Sequence, residues 1–177
     1  MPTSLGTLSL SVVVARNLLS ADTTDRRRAV PVRDTRRAMP ENHRAVSENL
    51  ATVRRGIDGF NGRDVDLLAE LTTPDFAWFP ALPGTVEADG YRGREGIERY
   101  FGEIEGTWEQ LRVLIGELRD LGDAVLLLGR TEGRGRTSGV EVDAPIGIVY
   151  EFRGEKVSLC RAYLDHGEAL RVAGLPE

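Results

Sequence analysis

The chain has 177 residues, 41% of them hydrophobic, which suits one domain plus an extension and is enough for a packed core. Its net charge of -5 argues against a nucleic-acid partner, which needs a basic face. No run of about 18 apolar residues exists to span a membrane.

The charge is uneven. Residues 1–44 hold eight Arg and four acids, and the remainder holds 15 basic and 24 acidic residues. Lys156 is the only lysine, an arginine bias that fits a GC-rich, actinomycete-like bacterial genome better than a binding requirement. Leu5 to Ala21 is mildly apolar but is a poor secretory signal, because no basic residue precedes it and Arg16 and Asn17 interrupt it. Asp22 to Arg37 is charged and unpatterned, which favours disorder. Arg26-Arg27-Arg28 reads as a solvated charge run, with a polyanion-binding arm as the alternative. Met39-Pro40-Glu41-Asn42-His43 is also a natural start just before the first helix, so residues 1–44 are expected to be a disordered or mis-annotated extension and residues 45–177 the domain.

Val46, Leu50, Val53, Ile57 and Phe60, spaced 4, 3, 4 and 3, predict one face of a helix that Asn61-Gly62 ends. Asp64 is placed to cap a second, short helix carrying Leu67, Leu68 and Leu71, which Thr73-Pro74-Asp75 breaks. Phe76 to Phe79 reads as a strand stopped by Pro80 and Pro83. Gly90 to Gly93 is a loop, and Arg94 or Glu95 opens a third helix with Ile97, Tyr100, Phe101 and Ile104 inward. After Gly106 the period becomes 2. Leu111 to Leu118, Ala124 to Thr131, Val140 to Phe152 and Val157 onward read as strands, with turns at Gly122-Asp123, Gly133 to Gly139 and Gly154-Glu155. The last strand runs into a short helical cap closed by Gly174. Helices gathered early and antiparallel strands gathered late predict an α+β fold, a cone-shaped curved sheet wrapped around three N-terminal helices.

Gly90-Tyr91-Arg92-Gly93-Arg94-Glu95-Gly96-Ile97 and the closing Tyr163-Leu164-Asp165, Glu168-Ala169-Leu170 and Ala173-Gly174-Leu175 resemble a SnoaL-like protein of the nuclear transport factor 2-like superfamily, with a cystatin-like α+β barrel. Asn61-Gly62-Arg63-Asp64 and Phe76-Ala77-Trp78 fit the same pattern, and the resemblance covers roughly residues 46–175. It implies an apolar conical pocket and a homodimer. It does not imply one function, because the fold hosts cyclases, isomerases, hydrolases and binders.

Ketosteroid isomerases of this fold need a carboxylate base, a Tyr and a protonated acid. Those positions fall on Phe79 or Pro80, near Gly56 and near Ile148, so that chemistry is not expected. Epoxide hydrolases of the fold use an Arg-x-Asp pair and an acid on the final strand. Arg130-Thr131-Glu132 resembles the pair, and the acid falls on Ala162. SnoaL-type cyclases rely on an acid in that same region.

Arg130 and Glu132, two apart on a strand, share a face. If that face lines the cone they form a polar catalytic floor of hydrolase or cyclase type; if it faces outward they are a surface or dimer-interface pair. The expected pocket residues are Trp78, Phe79, Tyr91, Tyr100, Ile148, Cys160, Ala162 and Leu164. Tyr150 and Tyr163 are further candidates to offer a phenol. Asp165 caps the terminal helix and His166 is read as an exposed cap residue. Cys160, alone, excludes an internal disulfide, suits a reducing cytoplasm and is inert if buried. His43, His166 and Cys160 lack metal-ligand spacing, and Gly133 to Gly139 joins two strands without opening a helix, so it is no phosphate loop. The expected ligand is a small apolar metabolite, with no cofactor, or else the chain is a non-catalytic binding or dimerisation module.

Overall fold

The structure, a computed structural model, describes residues 42–81 and 90–176. The expectations for the N-terminal extension, the alternative start at Met39 and the stop at Pro83 lie outside the described residues. The elements follow in the order α1 (Asn42–Gly62), α2 (Val65–Leu71), β1 (Thr72–Phe79), β2 (Tyr91–Arg92), α3 (Gly93–Thr107), β3 (Trp108–Asp120), β4 (Ala124–Gly135), β5 (Glu141–Arg153), β6 (Lys156–Tyr163) and α4 (His166–Val172). The fold is α+β, with a curved sheet that stays open at both edges.

The sheet order is β2-β1-β6-β5-β4-β3. The hairpins β3–β4, β4–β5 and β5–β6 are antiparallel, as their short turns require. β1 pairs with β6 in parallel, the one departure from an antiparallel sheet among the described strands. Its partner is remote in sequence, so no turn chemistry fixes the direction. β3 carries register shifts between Trp108 and Gln110 and between Ile115 and Glu117. Such bulges bend a strand and raise its twist, which curves the sheet around the helices.

The concave face holds the main core. Val53 and Ile57 of α1 and Ile97, Phe101 and Ile104 of α3 pack on Leu111, Val113, Val125, Leu127 and Ile148. A second cluster lies on the convex face, where Ala169, Leu170 and Ala173 cover Leu126, Leu128 and Val149. β4 is therefore buried on both sides at its centre, with Leu126 and Leu127 both 0% exposed. α4 closes as the sequence implies. Asp165 accepts from the Glu168 N–H at 2.7 Å, and Gly174 takes a φ of +73°.

Candidate functional site

Between the concave sheet face and α1 to α3 lies a cavity of about 100 Å³. Alternation along each strand decides its wall. β1 contributes Phe76 and Trp78, β5 contributes Ile146, Ile148 and Tyr150, and β6 contributes Cys160 and Ala162. The helices add Val53, Ile57, Tyr100 and Phe101. Trp78, Tyr100, Phe60 and Phe101 form the aromatic side: Trp78 and Tyr100 meet edge-on at 5.7 Å, and Phe60 meets Phe101 at 5.8 Å.

Two of the few polar groups in this wall are engaged within the protein. Thr72 Oγ1 donates to the Leu68 carbonyl at 2.8 Å and Thr131 Oγ1 to the Arg112 carbonyl at 3.3 Å. Tyr150 and Cys160 stand opposite each other on β5 and β6, and both are buried. Burial pushes Tyr100, Tyr150 and Cys160 above their ordinary pKa values, so all three stay protonated and neutral at physiological pH. The Trp78 indole N–H is buried beside the Tyr100 hydroxyl, close enough to favour negative charge there, yet makes no aligned hydrogen bond.

The expected residues divide between this wall and other places. Trp78, Tyr100, Ile148, Cys160 and Ala162 line the cavity. Tyr91, 1% exposed, stands behind it, its ring tilted at 57° to that of Tyr100 with centroids 4.9 Å apart and its hydroxyl donating to Glu103 at 2.5 Å. Phe79 faces the other side of the sheet, under the guanidinium of Arg161 at 4.5 Å. Leu164 lies past the end of β6, away from the wall.

Arg130 and Glu132 do not line the cavity. Arg130 pairs with Asp143 at 2.6 Å and Glu132 with Arg112 at 2.7 Å, all on the convex face. Glu132 there borders a shallow groove with Arg112, Arg134, Glu141 and Asp143. The physical reason is the strand period: Thr131, between them and 1% exposed, is the residue that turns inward. His166 is not a free cap residue either. Its Nε2 lies 2.8 Å from the Gly129 carbonyl and 3.1 Å from that of Ile146, so with two acceptors it carries the proton. Tyr163 packs under α4, away from the cavity. Of the positions matched to groups of related enzymes, Gly56, Ile148 and Ala162 reach the wall, and none of them ionises; Phe79, Pro80 and Glu132 do not line it. Among the described residues no charged side chain lines the cavity, and no three His, Cys, Asp or Glu gather as a metal site.

The sequence matches the SnoaL-like domain over residues 53–159. No functionally curated protein matches it. Among solved structures it is similar to a putative SnoaL-like polyketide cyclase from Jannaschia sp. CCS1, at 21% identity and a TM-score of 0.59, covering 75% of this chain and 96% of that one. Bal32a, from a soil-derived mobile gene cassette, shares 28% identity at a TM-score of 0.55, over 71% of this chain and 95% of that one. A Mycobacterium tuberculosis LEH-like epoxide hydrolase shares 17% identity at a TM-score of 0.55, over 76% and 92% respectively.

Proposed function

Because the chain belongs to the SnoaL-like domain family, we propose that it binds a small, largely apolar metabolite within the cone and performs no proton-transfer chemistry there. The observation that carries this reading is a wall of aromatic and aliphatic side chains with no carboxylate and no guanidinium among its described residues. Apolar pockets with few polar groups hold ligands by burial and shape. General acid–base catalysis needs a titrating group within hydrogen-bond reach of the substrate. Arg130 and Glu132 cannot serve from the convex face, and the final-strand position that would supply an acid is Ala162.

The convex surface of β3 to β5, where Arg112, Arg130 and Arg134 alternate with Glu132, Glu141 and Asp143, is read as the surface that pairs two chains. The lone buried thiol suits a bacterial cytoplasm.

Native mass spectrometry of the purified protein after exposure to a metabolite extract tests the binding reading. An apolar small molecule is expected to co-purify with the parent protein and to be lost from Ala162→Phe, which fills the cavity. Turnover of candidate epoxides or cyclisable ketones that Glu132→Gln abolishes would overturn it and return the catalytic role to the Arg130–Glu132 pair. Sedimentation at micromolar concentration is expected to show a dimer.

A further inference from the structure

α1 carries a glycine that packing does not explain. Gly56 lies in the helix interior, where glycine weakens a helix relative to alanine. Its backbone is not in the left-handed region. No neighbour presses on it either: a Cβ built there meets nothing within 4 Å. Gly59 differs, because a Cβ there would stand 3.3 Å from Leu67 and Leu68. Gly102 of α3 also has open space beside it, but that glycine is exposed to solvent, whereas Gly56 lines the cavity. The wall around Gly56 is buried unevenly. Val53 and Ile57 of α1 are 1% and 5% exposed, and Phe76, Ile148 and Cys160 are buried as well. Thr52, Gly56, Phe60, Leu68, Trp78 and Ala81 line the same cavity and are only half-buried. These residues come from α1, α2 and the end of β1, and among the described residues they mark the side on which the cavity meets solvent. At about 100 Å³ the cavity is smaller than the roughly 150 Å³ that holds a benzene ring, so a ligand longer than one ring extends past this rim.

We propose that Gly56 is the gap in this rim and sets the shape of the ligand: an apolar ring held in the cavity, with an unbranched apolar tail that leaves across α1 at Gly56. This rests on the binding reading above. The ring lies against Trp78, Phe60 and Phe101. The tail runs over the bare backbone of Gly56, between Thr52 one helical turn before it and Phe60 one turn after. A side chain at this position stands in the path of the tail and leaves the seat of the ring intact.

Calorimetric titration with benzene, n-butylbenzene and tert-butylbenzene separates the two claims. Benzene tests the binding reading alone, because it needs no exit. If none of the three binds, the binding reading falls and the gap with it. The parent protein is expected to hold n-butylbenzene about tenfold more tightly than benzene, each tail carbon being covered only in part at the rim. The branched isomer, with the same carbons in a wider shape, is expected to gain nothing over benzene. Gly56→Ala is expected to bring the n-butylbenzene advantage below about threefold, to leave benzene binding in place, and to raise the ratio of folded to unfolded chains about fivefold in urea unfolding. Gly102→Ala is expected to give the same rise in stability and to keep the full advantage of the straight tail. The affinities of the parent protein for the two butyl isomers need no variant to fold. An equal gain for both isomers, a straight-tail advantage that survives Gly56→Ala, or a loss of stability in Gly56→Ala would overturn the proposal, while benzene binding by the parent would leave the binding reading standing.

Discussion

Asn61 and Arg63 show how a short motif that looks like a turn signal can carry structure. β3 is an edge strand, and its unpaired backbone groups invite pairing with another chain. Asn61 covers two of them, donating to the Val113 carbonyl at 2.9 Å and accepting from its N–H at 2.8 Å. Arg63 takes the Leu111 carbonyl at 2.7 Å and, not Gly62, adopts the left-handed backbone that ends α1, with a φ of +58°. The strain of a side chain in that region is offset by its two carbonyl bonds and the rings beneath it. Asn61→Ala is expected to cost about 1–2 kcal/mol in denaturant unfolding, because one side chain satisfies two backbone groups. Ala162→Asp tests the dryness of the cavity wall. Burial raises the pKa of the new carboxyl above its unfolded value near 3.9, so its penalty appears as the pH rises through that value. Unfolding at pH 7 is expected to show a loss of about 2–4 kcal/mol, and at pH 3 a much smaller one. Equal losses at both values would mean that the position is wet.

At the level of elements, α4 fixes which part of the convex sheet face is hidden. It is only seven residues long and would not persist alone. It docks because β5 offers Gly147 beneath it: a Cβ there would stand 2.2 Å from that of Ala169. Its entry is held by the bonds from His166 to β4 and β5. Gly147→Val is therefore expected to lift α4, expose Leu126, Leu128 and Val149, and cost about 2–3 kcal/mol. Hydrogen exchange should show amides of residues 166–172 losing protection first; protection unchanged from the parent protein would refute this account. The Gly90 to Ile97 motif works by close approach in the same way. A Cβ at Gly90 would meet the Trp78 carbonyl at 2.7 Å and one at Gly96 the Tyr91 backbone at 2.7 Å. These glycines let β2 and α3 sit tightly on β1, which brings Tyr100 to Trp78.

For the whole molecule, the interior shapes the response to alkali. Tyr100, Tyr150 and Cys160 are all raised by burial above ordinary values of 10.0, 10.0 and 9.0. The folded state keeps these protons after the unfolded chain has released them. Their contribution is fully present below pH 9, and stability falls as pH rises beyond it, by up to about 1.4 kcal/mol per pH unit for each titrating group. Urea midpoints at pH 7, 9 and 10.5 should decline in that order. The same burial makes Cys160 unreactive toward a thiol reagent at pH 8 until the chain unfolds, and rapid labelling of the native protein would show that the cavity admits solvent freely.

Apart from β2, whose two residues read as a loop, the order of elements was legible in the chain because each rests on local chemistry: the helical spacing of Val53, Ile57 and Phe60, the caps at Asp64 and Asp165, the period of 2 after Gly106, and the turns at Gly122 and Gly154. The inward faces of Trp78, Ile148, Cys160 and Ala162 follow from the same alternation. What the sequence could not fix was anything that depends on remote neighbours. The phase of β4 was ambiguous because both its faces are buried at the centre, one under α1 and one under α4, so only packing shows that Thr131 looks inward while Arg130 and Glu132 look out. The parallel pairing of β1 with β6 and the place of Tyr91 behind Tyr100 are settled by contacts between distant segments. Local propensity thus determined the parts of this protein, and tertiary packing decided which of their side chains meet the cavity.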